Sequence, residues 1–162
     1  MRASTFRLSS RRKRAVLDTV RAILERKGYD VVSIAPNATV YEAIAEMARR
    51  EVGALCVVAD RNLVGIVSER DYARKVILAG KSSKETMVEE IMTADPVTVT
   101  SRHTVDDCMR IMTEARIRHL PVADEGELKG VISIGDLVKA IISSQAYTID
   151  QLHGYINSSY PS

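Results

Sequence analysis

The sequence predicts an α+β fold of the α/β-sandwich kind: two β-α-β-β-α motifs packed on each other by pseudo-twofold symmetry. Three observations predict it. Residues 32–77 repeat at 97–142 with a constant offset of 65 and no gap. Within each copy the apolar pattern switches from strand runs to a helical period and back. Turn-forming residues fall at matching places in both copies.

The repeat fixes the unit before any single element is considered. Identities fall at Val32/Val97, Thr39/Thr104, Val40/Val105, Met47/Met112, Leu55/Leu120 and Val57/Val122. They continue at Leu63/Leu128, Gly65/Gly130, Ser68/Ser133 and Asp71/Asp136. Each copy opens with a short strand, Val31–Ile34 or Pro96–Val99. Thr39 with Glu42, and Thr104 with Asp107, then have the spacing of a capping box at a helix start. The helices follow with one apolar stripe each: Val40, Ala43, Ile44, Met47 and Val105, Cys108, Met109, Met112, at i, i+3, i+4, i+7. Two brief strands come next, Leu55–Val58 with Leu63–Val67, and Leu120–Val122 with Leu128–Ile132. Their connections, 59–62 and 123–127, are rich in acid, Asn or Gly and read as hairpin turns. A second helix closes each copy, near Arg70–Leu78 and Gly135–Ile142. Gly65 and Gly130 lie inside strand patterns, where glycine marks a bulge or a close backbone approach.

One such motif has too little sheet to cover two helices, so the copies are expected to pack together. Outside them, residues 11–28 predict a helix that stops at Lys27–Gly28, and 85–92 a short linker helix. The expected organisation is an N-terminal basic arm over 1–16, the first motif with its preceding helix over 17–79, a linker over 80–92, the second motif over 93–144 and a tail over 145–162.

Composition excludes several classes. The 162 residues are 46% hydrophobic and 27% charged, which is globular rather than disordered. Lys+Arg number 23 against 21 Asp+Glu, too balanced for a dedicated nucleic-acid or membrane-surface binder. With one Phe and no Trp, stacking platforms for single strands are not expected. No apolar run reaches the length of a membrane span. Cys56 in an apolar strand and Cys108 on an apolar helix face read as buried structural thiols, suited to a reducing compartment. Residues 1–17 hold five Arg and one Lys with no acid. This segment reads as a solvated basic arm, with an organellar transit peptide and a nucleic-acid arm as alternatives. The expected location is cytoplasmic, or organellar if that segment is a transit peptide.

The chemistry centres on Ser68/Asp71 and Ser133/Asp136. Each pair lies where a strand becomes a helix, with amides and positive dipole facing outward, a place for phosphate. The carboxylate three residues on could accept both hydroxyls of a ribose cis-diol. The same S-x-x-D spacing is also a plain capping box that needs no ligand. Arg70 precedes Asp71, where the second copy has Gly135. Arg118 and His119 stand where the first copy has Gly53 and Ala54. Both sites thus keep an aspartate and a cation in different arrangements, and unequal affinities, or different ligands at the two sites, are expected. Arg118 as a solvated charge and His119 as a half-buried histidine is the plainer alternative. Thr98 and Thr100 could hydrogen-bond a purine or be ordinary edge-strand threonines.

Gly65-Ile-Val-Ser-Glu-Arg-Asp71, Gly130-Val-Ile-Ser-Ile-Gly-Asp136, Glu90-Ile-Met-Thr93 and Ile117-Arg-His-Leu-Pro-Val122 together resemble a tandem pair of CBS (cystathionine β-synthase) motifs, a Bateman module. The resemblance covers about residues 17–143, and is similar to stand-alone two-CBS proteins of bacteria and plant organelles. It implies a regulatory module that binds AMP, ADP, ATP, NAD(H) or S-adenosylmethionine in clefts between the motifs. It implies ligand contacts from Ser68, Arg70, Asp71, Arg118, His119, Pro121, Ser133 and Asp136, and from Thr98, Thr100, Ile34 and Val57. Adenine would lie against these apolar strands, with Val32, Val97, Val99 and Val122 beside them. It further implies a homodimer and a regulated partner, such as a thioredoxin-type protein. The alternative is an interaction scaffold with vestigial clefts.

Catalysis is not expected. No Gly-rich phosphate loop, H-E-x-x-H or C-x-x-C occurs, and His103, His119 and His153 lack metal-ligand spacing. A Ser133–His119–Asp136 triad fails because serine and aspartate recur in a copy without the histidine.

Overall fold

A computed structural model describes residues 19–159, with the backbone alone at 146–148 and 155–159. The basic arm and residues 11–18 of the first predicted helix lie outside the described residues. The described residues form two compact units, one of Thr19–Gly28, Thr100–Arg118 and Ile132–Ser159, the other of Tyr29–Val99 and His119–Val131.

The second of these holds a four-stranded sheet in the order β1-β2-β3-β4. β1 (Ser33–Ile34) runs parallel to β2 (Ala54–Ala59), and β2 runs antiparallel to β3 (Asn62–Ser68). Asp60 and Arg61, at φ 49° and 65°, make the two-residue turn between β2 and β3 that right-twisted strands favour. β4 (Thr93–Ala94) adds to β3 through Gly65↔Ala94 and Ile66↔Thr93. The sequence pattern placed Thr93 at a motif boundary and indicated no strand there, because two residues carry no periodicity. The register of β2 and β3 shifts between Val57 and Val58, leaving Val64 as the extra residue beside Gly65. Both roles expected of Gly65, bulge and close approach, are present: a Cβ there would lie 2.5 Å from Met92 Sδ and 3.0 Å from the Thr93 carbonyl oxygen.

The helix α2 (Val40–Arg50) packs on this sheet because its apolar stripe matches the 3.6-residue period. Val40, Ala43 and Met47 join Leu55, Val57, Val67, Val76, Val88 and Ile91 in one buried core. The capping box is complete: the Glu42 amide donates to Thr39 Oγ1 at 3.1 Å and the Thr39 amide to Glu42 Oε2 at 2.7 Å. After β3 the chain forms α3 (Glu69–Tyr72), then a π-helical turn over Ala73–Ile77 in which the Leu78 amide reaches the Ala73 carbonyl at 3.1 Å. A continuous α-helix was the expectation here. The linker helix is α4 (Val88–Ile91), shorter than predicted, and it hydrogen-bonds the first copy through Val88 N–H to Ala38 O at 2.8 Å. The hairpin β5 (His119–Asp124) and β6 (Glu127–Ser133) turns at Glu125 and Gly126, both at positive φ. The strand expected over 96–99 is reduced to a single parallel bridge, Val99↔Val122. Pro96 and Pro121 have no amide hydrogen to extend it.

The other unit is helical. α1 (Val20–Lys27) precedes the first copy in sequence but pairs with the second: Val20 N–H donates to His103 O at 2.9 Å and Arg21 N–H to Ser101 O at 3.0 Å. α5 (Val105–Ala115) buries Val105, Cys108 and Met112, and its Thr104–Asp107 box is closed by two hydrogen bonds of 3.1 Å. α6 (Ile134–Ser159) buries Leu137 and Ala140 and runs on through the residues expected as a tail. No turn or breaker stands between Ile142 and Ser159 except Gly154, which a helix tolerates. Among the described residues no helix is long and apolar enough to cross a membrane.

α2 and α5 end at equivalent positions, Glu51 and Arg116, both left-handed with φ 54° and 55°. A side chain in that conformation costs about 1 kcal/mol relative to glycine. Glu51→Gly is therefore expected to raise stability by about 0.5 kcal/mol, after the added freedom of the unfolded chain is subtracted. A urea-unfolding midpoint that falls instead would show that Glu51 makes compensating contacts.

Candidate functional site

The two strand-to-helix junctions are built alike. In each, the first helical amide is tied to the carbonyl just before the neighbouring strand: Glu69 N–H to Gly53 O at 3.0 Å and Ile134 N–H to Arg118 O at 2.9 Å. Serine then caps the helix. The Asp71 amide donates to Ser68 Oγ at 3.3 Å, while the Ser68 amide and hydroxyl reach Asp71 Oδ2 at 2.9 and 3.0 Å. In the second copy the Asp136 amide donates to Ser133 Oγ at 3.2 Å and the Ser133 amide to Asp136 Oδ2 at 2.9 Å. Each box contributes about 1 kcal/mol to its helix, so both aspartates have a structural role whatever they bind.

Each carboxylate also holds a lysine. Lys75 Nζ lies 3.1 Å from Asp71 Oδ1 and donates to the Ile91 carbonyl at 2.8 Å. Lys27 Nζ, at the end of α1, donates to Asp136 Oδ2 at 2.7 Å. Arg70 and Arg118, the cations expected to face a phosphate, are both exposed, and each aspartate has a lysine as an ion-pair partner. Lys75, one turn beyond Asp71, was open to recognition as an i,i+4 pair. Nothing local points to Lys27, which is 109 residues from its partner.

His119 is half-buried. A Cβ on Gly53 would sit 3.4 Å from His119 Cε1 and 3.9 Å from Glu69 Oε2, so the ring covers Gly53 beside the first copy's junction. Thr100 is committed to its own turn: its amide donates to His103 Nδ1 at 3.0 Å, with its hydroxyl at the same distance. Thr98 and Val97 are exposed, and Val32 and Ile34 half-buried. Val57, Val99 and Val122 are 1% exposed or less, and Pro121 is buried.

Burial pushes the Asp136 carboxyl upward, but hydrogen bonds from Lys27 and Ser133 outweigh it and hold the group below the usual carboxylate range. A carboxyl with a depressed folded pKa stabilises the fold above its unfolded value of about 4 and loses that contribution as pH falls through the folded value. Unfolding free energy is therefore expected to fall as pH drops below about 4, more steeply in the wild type than in Asp136→Asn. Parallel acid profiles in urea would remove Asp136 from that role. Burial also raises the Cys56 thiol to about 11, and the Cys108 thiol to about 11 with help from the Asp107 charge. Both are free and buried, as their apolar surroundings in sequence predicted. Among the described residues no group of His, Cys, Asp and Glu could hold a metal ion.

The family model described as "CBS domain" matches residues 20–77 and 88–143. Its two matches begin at α1 and α4, the helices that precede each copy. The chain is 42% identical over 127 residues to the CBS domain-containing protein CBSX3, mitochondrial, of Arabidopsis thaliana, covering 75% of this chain and 62% of that protein's length. Among solved structures, a protein with CBS domains from Burkholderia ambifaria MC40-6 is 52% identical, with a TM-score of 0.76, covering 78% of this chain and 96% of the other. The CBS domain pair of protein MJ0100, solved with 5′-methylthioadenosine and S-adenosylmethionine, shares the fold at 24% identity and a TM-score of 0.70, covering 78% of this chain and 97% of that one.

Proposed function

The chain belongs to the CBS-domain family, with two copies of the domain in tandem, and from that premise we propose that it is a regulatory module that binds an adenosine ligand. The observation that carries this reading is the duplicated junction, where a capped, partly exposed aspartate stands at a helix start beside a lysine. A carboxylate so placed accepts ribose hydroxyls, and the neighbouring helix amides and cation suit a phosphate. Ligand binding then alters affinity for a partner by the difference in its own affinity for the two states. The ligand is AMP, ADP, ATP, NAD(H) or S-adenosylmethionine, and a thioredoxin-type protein is one candidate partner. Self-association draws on α6, whose exposed Val138, Ile142, Ile149 and Leu152 follow helical spacing along the described surface.

Calorimetric titration of the full chain with AMP, ADP, ATP, NADH and S-adenosylmethionine tests the reading. Saturable binding of one of them supports it, and heats of dilution alone with all five would refute it. A second reading has its own observation. Each Ser–Asp pair caps its own helix, a role that suffices for a scaffold whose clefts are vestigial, and five empty titrations would favour it. The Arabidopsis relative's name places that protein in mitochondria. An organellar location for this chain would assign the arginine-rich first 17 residues to transit, and a cytoplasmic one would leave them a solvated arm.

A further inference from the structure

We propose that α6 pairs with α6 of a second copy of this chain as a parallel two-stranded coiled coil, with Gln145 in its core setting the register. The inference rests on the self-association part of the reading above and adds the partner, its direction and the number of strands. Val138, Ile142, Gln145, Ile149 and Leu152 follow one another at steps of four, three, four and three residues along the helix. That alternation is the a/d seam of a coiled coil, with the two isoleucines at a and the other three residues at d. All five are exposed, Ile142 and Leu152 by 60% and 57%. Leu137 and Ala140, which α6 buries in its own unit, lie on the opposite side of the helix. From Ser143 to Gly154 the off-seam residues with described side chains are polar or glycine, so the apolar stripe there is confined to the seam.

Charge and exposure select a second copy as the occupant. By sequence Asp150 is the one charged residue between Ala140 and Ser159, in a chain that is 27% charged, and depletion of charge marks the core of protein interfaces. A helix that lies on a membrane carries Lys and Arg on its polar face, and neither follows Lys139. Beyond Ser144 every residue of α6 whose side chain is described is exposed. A helical end of that length depends on packing rather than on propensity to hold it in water. This distal part also lies past the family-model match, which ends at 143. Isoleucine at a with leucine at d favours two parallel strands. Gln145 decides the direction. Parallel strands in register set its amide against the same amide of the other copy, where each can donate to the other. Antiparallel strands would set it against an isoleucine and leave amide groups in an apolar layer.

Sedimentation velocity of the full chain at micromolar concentration is the test, with thermal midpoints by circular dichroism as the check on folding. The chain is expected to be a dimer. Ile149→Asp, at an exposed seam position, should weaken it at least about thirtyfold, the size of a central interface contact. Gln151→Asp, exposed but off the seam, should leave it unchanged. Gln145→Leu should associate at least as tightly and lose its single size, because a polar core residue specifies the state at a cost in stability. Leu152→Cys should form an intermolecular disulfide readily on mild oxidation, as the natural cysteines are buried and parallel strands bring 152 to 152. A dimer that survives both Ile149→Asp and Ile142→Asp would place self-association elsewhere and overturn this inference alone. Absence of the Leu152→Cys cross-link in a dimer would overturn the parallel direction, a wild-type trimer the two strands, and a strictly dimeric Gln145→Leu the role of Gln145. A monomer throughout would overturn this inference and the self-association with it, and its co-sedimentation with phosphatidylserine vesicles would assign the face to a membrane. The adenosine-ligand reading stands or falls by its own titrations in every one of these outcomes.

Discussion

Gly65→Val is expected to destabilise the fold by about 3 kcal/mol, the cost of forcing bulk into a packed interior. The position has no room: its first added carbon would lie 2.5 Å from Met92 Sδ and 3.0 Å from the Thr93 carbonyl oxygen. Met92 can swing its thioether aside, but the carbonyl is backbone, so β4 must leave β3 and give up the Gly65↔Ala94 and Ile66↔Thr93 pairings. With total stabilities of about 5–15 kcal/mol, a large share of the fold's margin goes with one side chain. Urea unfolding followed by circular dichroism measures the shift. Gly154→Ala, in α6 with nothing within 4 Å of the added Cβ, is the matched control. It should be neutral or stabilising, since glycine in a helix costs up to about 1 kcal/mol against alanine. A Gly65→Val midpoint equal to that control would mean that the β3–β4 contact relaxes freely.

Asp136→Ala is expected to weaken nucleotide binding by about thirtyfold or more, the value of one or two hydrogen bonds to a charged acceptor. Asp71→Ala should cost less, because the helix behind Asp71, α3 with its π-helical turn, ends at Ile77, whereas α6 runs for 26 residues behind Asp136. Both variants also lose a capping interaction, so each should unfold about 1 kcal/mol more easily. Loss of binding beyond what that stability change explains separates a ligand contact from a cap. Two variants that are less stable but bind as the wild type does would reduce both aspartates to capping residues.

Much of the fold was readable in the chain because its signals are local. The Thr39–Glu42 and Thr104–Asp107 boxes, the apolar stripes of α2 and α5, and the two-residue turns at Asp60–Arg61 and Glu125–Gly126 each depend on near neighbours along the chain. The repeat then doubled every such signal, and Gly65 was marked by standing where a strand should not want glycine. The site was legible only in its duplicated part. Ser68/Asp71 and Ser133/Asp136 stood out, and the structure joins each pair as the spacing required. The lysines that pair with the two aspartates did not stand out as a set, because Lys27 is far from Asp136 in sequence.

Periodicity and short-range hydrogen bonding were enough to specify the α+β repeat and its capped helices, and the motifs at the ends of each copy were enough to point to the family. Neither could say that α1 joins the second copy, that His119 covers Gly53, or that Lys27 meets Asp136 across 109 residues. Those pairings are set by which faces bury together on folding, a property of the packed chain that no window of neighbouring residues records.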